Sequence, residues 1–251
     1  MAQDGSRGVR VVAALCALTW LTFPGFGLID LSVTWNAAWP QVLEAGWGLF
    51  FTVLVAAPFG LVVIGPRGVS TSVAQLAVAA AVLEVSALLA DEPRLMLISL
   101  AIAVETAVLV WLAYDLLDRQ GWQPRTSAPL ALLALAAAGP WLVYASRMYD
   151  LNREGLSAVD GDVSIGIDHY AVQGGVALAI TALAFLAAVF PAGRRFSGSC
   201  AGLTAAYLGL VSYAWPDAAG GFGRLWSAGA VVWGLALVLC AWRRSSSAPA
   251  V

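Results

Sequence analysis

Apolar runs of about 20 residues, the length a helix needs to cross roughly 30 Å of hydrocarbon, dominate this chain. Eight can be marked, at 11–31, 47–65, 70–90, 95–117, 128–147, 171–191, 198–215 and 225–242. Most are joined by short turn-rich segments such as GPRG (65–68), DEPR (91–94), AGRRFSG (192–198) and PDAAGGFGR (216–224). Inside a bilayer every backbone polar group has to be satisfied within the protein, so runs of this length are expected to be helices. Strands of a membrane barrel would be about half as long and would alternate in polarity. With 61% hydrophobic and 11% charged residues in 251, there are too few charges to cover a soluble globule. The expected fold is an all-α membrane protein, a single domain over 1–251 formed by a bundle of about eight transmembrane helices.

Arginine distribution sets the expected orientation. Lysine is absent, and all 13 basic residues are arginines. With the N and C termini cytoplasmic, Arg7, Arg10, Arg67, Arg119, Arg125, Arg194, Arg195, Arg243 and Arg244 fall inside, against Arg94, Arg147, Arg153 and Arg224 outside. Acidic residues, Asp30 and Glu44 among them, run the other way. Trp35, Trp39, Trp47, Trp215 and Trp226 sit at the expected outer interface, with Trp122 and Trp242 at the inner one. The first apolar run continues to Leu31 without a small-x-small cleavage signal, so a retained signal-anchor helix is expected. Cys16, Cys200 and Cys240 all fall within spans, which argues against a disulfide framework. An acidic pI near 5.3 speaks against a nucleic-acid partner. The expected partners are the lipid bilayer and another membrane or extracytoplasmic protein.

One polar stretch interrupts this pattern, SAVDGDVSIGIDHYAVQG (157–174), within a long outer loop over 148–170. Loops of that length in a tightly connected bundle invite a functional reading. DGDVSIGID alternates, placing Asp160, Asp162, Ser164, Gly166 and Asp168 on one side and Val163, Ile165 and Ile167 on the other, as in one extended segment laid on the helix ends. Asp160, Asp162 and Asp168 form a candidate metal set, because a hard divalent cation such as Ca²⁺ seeks six to eight oxygens. DLNREG (150–155) begins like an EF-hand loop, but position twelve would be Gly161 where a bidentate Glu is required. Asp168 and His169 are the catalytic candidates. As adjacent residues they point apart, and no nucleophile elbow or zinc-binding histidine set accompanies them, since His169 is the one histidine of the chain. A solvated acidic loop is the simpler account, and no cofactor is expected beyond a candidate divalent cation.

Two ionisable residues lie within expected spans, and such residues are functional hypotheses by default. Glu84 and Glu105 sit on consecutive helices at similar depth, and Ala77, Ala80, Ala81 and Ala87 flank Glu84 with a smooth surface that predicts close approach of another helix. Glu84 is therefore expected to face protein. Pro24, Pro58 and Pro140 interrupt spans one, two and five, where each removes a helix hydrogen bond. If the chain were two repeats of four spans, one and five would correspond and break at similar depth. GSCAG (198–202) is a GxxxG that predicts close packing of span seven.

The absence of lysine excludes a retinal Schiff base, and no intramembrane-protease motif is present. GIDHYAVQGG (166–175) resembles a group of uncharacterised multi-pass membrane proteins of actinobacteria, in which a similar Asp-His, aromatic, then Val-Gln precedes a span. The resemblance implies a bacterial plasma-membrane location and carries no activity. Three functional readings follow. The favoured one is a non-enzymatic assembly or scaffold protein whose outer loop meets a partner. The alternatives are a small proton- or cation-coupled transporter using Glu84 and Glu105, and an outward-facing enzyme using Asp160, Asp162, Asp168 and His169.

Overall fold

The structure is a computed structural model that describes residues 2–65, 68–117, 123–156 and 163–243. It is an all-helical bundle, and six of its helices are long and apolar enough to cross a membrane. The first expected span is divided into α1 (Ala2–Leu21) and α2 (Gly27–Val33). Pro24 lacks an N–H, so the helix stops ahead of it, and Phe26 turns the chain at φ 54° before α2 begins. The Gly25 carbonyl in this break accepts the indole N–H of Trp47 at 2.8 Å.

The second span runs from Gln41 to Ile64, beginning six residues before the expected 47. It comprises α3 (Gln41–Leu49), a π-helical segment (Phe50–Ala56) and α4 (Ala57–Ile64). In π register Ala57 N–H reaches back to the Thr52 carbonyl. Pro58, next in line, has no N–H to give Val53, and the Gln75 amide from α5 donates to that carbonyl instead, at 3.4 Å.

The remaining helices are α5 (Val69–Ala90), α6 (Arg94–Leu112), α7 (Ala128–Arg153), α8 (His169–Val189), α9 (Arg194–Ala214) and α10 (Gly223–Trp242). Helix α7 extends six residues past its expected end, taking in much of the expected loop, and passes through Pro140 unbroken. The correspondence of spans one and five therefore does not extend to their backbones. Helices α1 and α9 stand outside the six, since α1 carries Arg7 and Arg10, and α9 opens on Arg194 and Arg195 and continues through Gly and Ser. Helix α8 is the most enclosed of the six and packs against α3, α5, α7 and α9. Ahead of it, Val163–Ser164 (β1) and Ile167–Asp168 (β2) pair antiparallel in a minimal hairpin.

Helices α9 and α10 meet backbone to backbone. A Cβ on Gly202 would lie 2.5 Å from the Gly234 carbonyl oxygen, and one on Gly209 2.7 Å from that of Ser227. Gly198 faces Ala241 in the same way, so the GSCAG motif packs as its spacing predicts. Gly202→Leu is expected to destabilise the protein by about 2 kcal/mol or more, the cost of overpacking a tight contact. Gly60→Leu, where a side chain meets open space, should leave stability nearly unchanged. Unfolding of both variants in mixed micelles checks the contrast.

Candidate functional site

A cluster of buried polar side chains lies at the end of the bundle capped by the β1–β2 hairpin. Helix α8 supplies His169 and Gln173, which are one turn apart and share a face. Asp168 caps the helix by accepting the Tyr170 N–H at 3.3 Å. The His169 ring is 2% exposed, stacks on Trp47 at 4.5 Å between centroids, and shares a 2.9 Å hydrogen bond between Nε2 and Ser164 Oγ. The Gln173 amide donates to the Tyr144 hydroxyl at 2.7 Å, and Tyr144 in turn donates to the Gly220 carbonyl at 2.5 Å.

This arrangement requires glycine on the facing helices. A Cβ on Gly46 of α3 would lie 2.6 Å from Gln173 Cδ, and one on Gly174 of α8 would lie 2.7 Å from Tyr149 Cζ. Tyr149 reaches over Gly174 to Ser86 of α5 at 2.8 Å, and donates, because Ser86 Oγ already gives its proton to the Val82 carbonyl. The Asn152 amide ties the end of α7 to the Ala90 carbonyl at 3.0 Å.

Glu44 and Asp30, one turn ahead of Trp47 and within α2 respectively, are 3% and 6% exposed. Sequence reasoning placed both at or beyond the outer surface. The missed signal was that Glu44 precedes Trp47 by three residues within an uninterrupted run, QVLEAGWGLFF, so that both belong to one helix face.

Below the cluster, buried polar side chains continue in depth. Gln173 Oε1, Thr52 Oγ1, Thr204 Oγ1, Gln75 Oε1 and Ser197 Oγ are each buried with no hydrogen-bond partner among the described residues. They belong to α8, the π segment, α9, α5 and α9 again, and descend from the hairpin end toward the opposite end. A buried donor or acceptor left unpaired costs about 1–3 kcal/mol, so a series of five demands a reason.

The intramembrane carboxylates predicted from sequence occupy different surroundings. Glu84 was expected to face protein, but its side chain lies on the exposed face of α5 with Ala77 and Ala81. The covered face instead carries Ser72, Leu76, Ala79, Leu83, Ser86 and Ala90. Alanine smoothness marked two faces alike, and the apolar period of 3.5 picks the one that is buried. Glu105 is half-buried and accepts the Trp20 indole N–H at 2.6 Å, tying α6 to α1. No hydrogen bond or ion pair joins Glu84 to Glu105 among the described residues.

Asp160 and Asp162 lie outside the described residues. Among the described residues no three His, Cys, Asp or Glu side chains gather as a metal-binding group. The stretch expected to run extended reverses at Ile165–Gly166, so Ile167 is buried while Ile165 is 48% exposed at the hairpin tip. Arg94 holds the turn by donating to the Gly166 carbonyl.

No known family model matches this chain, nor is any curated protein or solved structure found similar to it. The class its fold defines is that of an all-α protein with six helices long and apolar enough to span a membrane.

Ile165 has φ 49° and Gly166 φ 78°, a turn geometry that a β-branched residue enters at a cost of about 1–2 kcal/mol. Ile165→Asn is expected to stabilise the protein by about 1 kcal/mol, because asparagine tolerates this backbone region. A rise in melting temperature of the purified variant checks it.

Proposed function

We propose that the chain crosses a bacterial plasma membrane eight times with both termini cytoplasmic, and that it is a small proton- or cation-coupled carrier. The observation that carries this reading is the series of unpartnered polar atoms from Gln173 to Ser197 beneath two buried carboxylates, Asp30 and Glu44. Ionisable groups in a membrane interior are expensive, and they mark ion and proton pathways. Two departures from regular helix meet the series, the break at 22–26 beside it and the π segment at 50–56 that carries Thr52, and carriers place sites at such interruptions. The carboxylates assigned to the task are Glu44 and Asp30, at the head of the series, in place of Glu84.

The arginine balance supports the orientation, and the lengths of α1 and α9, 20 and 21 residues, support the two additional crossings. Proton flux in proteoliposomes, driven by a potassium diffusion potential and read by an interior pH dye, tests the carrier. Glu44→Gln and Gln173→Leu are expected to lower flux about tenfold or more, while Glu84→Gln retains it. Unchanged flux in Glu44→Gln, in protein that melts like wild type, overturns the reading and leaves the carboxylates structural.

The assembly reading is favoured by a separate observation, the exposed Ile165 held at a strained hairpin tip. Under that reading Ile165→Asn preserves the bundle and abolishes co-purification of a membrane or extracytoplasmic partner. Retention of that partner by the variant sinks it.

A further inference from the structure

Between α7 and α10, at the hairpin-end half of the bundle, lies a cleft of about 520 Å³, within the size range of ligand pockets. Its walls are aromatic. Trp141 meets Phe222 at 6.0 Å and Trp233 at 6.3 Å, Tyr144 meets Phe222 at 5.1 Å, and the Trp233 indole donates to the Leu133 carbonyl at 2.9 Å, so rings hold the two helices together here. Small residues leave the space open: Ala136 and Ala137 line it from α7, and a Cβ added to Gly229 of α10 would meet nothing within 4 Å.

Polarity is arranged along its length. From Ala136 to Arg147 the lining of α7 spans twelve residues, about 16 Å of helix, close to half of the ~30 Å hydrocarbon layer. Its deep end is Ala136 and Trp233. At the hairpin end stand the exposed guanidinium of Arg147 and the Trp226 ring, 61% exposed at the level where amphipathic rings meet headgroups. Among the described residues Arg147 forms no ion pair. A greasy slot one leaflet deep, whose described lining carries one charged side chain, Arg147, at its mouth, matches an amphiphile with an anionic head.

We propose that this cleft binds an anionic phospholipid from the leaflet at the hairpin end, with one chain between α7 and α10 and the phosphate on Arg147. The guanidinium presents planar paired donors that suit phosphate oxygens. The aromatic walls accept a flexible chain without demanding one shape. Trp226 and the Tyr144 edge bracket the transition from head to tail. This assignment uses none of the groups in the carrier reading, so either can fail alone.

The test uses the full chain reconstituted in zwitterionic phosphatidylcholine bilayers, titrated with phosphatidylglycerol carrying bromine on its chains, and separately with brominated phosphatidylcholine. Bromine quenches tryptophan on contact, and Trp141, Trp226 and Trp233 lie in the cleft. Wild type is expected to show a saturable component with apparent affinity about fivefold greater for the anionic lipid, the contribution of one arginine near a lipid phosphate. Arg147→Gln should remove the preference while retaining quenching. Gly229→Leu should fill the slot and remove the saturable component. Glycerol phosphate, a head without a chain, should not compete. Equal quenching by both lipids in wild type, a preference surviving Arg147→Gln, saturation surviving Gly229→Leu, or competition by glycerol phosphate would each overturn the proposal.

Discussion

The bundle depends on the close approach of other elements to α8 near its hairpin end. Gln173 occupies the space that a side chain at position 46 would need, and Tyr149 crosses the bare face of Gly174 to reach Ser86. Helices in lipid gain no hydrophobic advantage from meeting one another, so association rests on surface fit and on hydrogen bonds between helices. Three helices, α3, α5 and α7, are joined to α8 at this level by that combination. The glycines create the room, and the polar side chains then use it.

Backbone irregularity elsewhere follows the same logic of satisfaction. Pro58 deprives the Val53 carbonyl of its π-register donor, and Gln75 supplies one from the next helix. The break after Leu21 frees the Gly25 carbonyl, and Trp47 supplies another. In each case a side chain from a different element closes the gap, which couples the irregular segment to a neighbour and fixes where it sits. Trp47 contributes twice, through its indole N–H to Gly25 and through its ring face to His169.

Much of the architecture was legible in the apolar runs. Six of the eight stretches coincide with helices long and apolar enough to span, because length in hydrocarbon is a constraint on composition alone. What composition does not encode is which face of a helix is covered. The alanines around Glu84 predict an inward face, whereas the sevenfold spacing of Ser72, Leu76, Ala79, Leu83, Ser86 and Ala90 marks the opposite face, the one that is covered. Glu44 differs for the converse reason: an interfacial reading of Trp47 begins the helix at the tryptophan and puts the carboxylate outside, whereas α3 begins at Gln41. The alternating DGDVSIGID stretch differs in a third way, since period two describes a hairpin as well as a single strand, and the turn has Gly166 at its second position but Ile165 where Asn, Asp or Gly usually announces one.

Helices α9 and α10 approach closely by backbone at Gly202, Gly209 and Gly234, whereas α10 meets α7 through a set of rings and one hydrogen bond, from the Trp233 indole N–H to the Leu133 carbonyl at 2.9 Å. Contacts of the first kind have one geometry. Rings meeting edge to face at 5–6 Å retain attraction over a range of tilts and offsets. The bundle is therefore packed unevenly: α9 and α10 meet closely along their length, and the α7 side, open at the cleft, is the looser seam. Tyr144 joins that seam to the interior, since its ring lines the cleft and its hydroxyl holds Gln173.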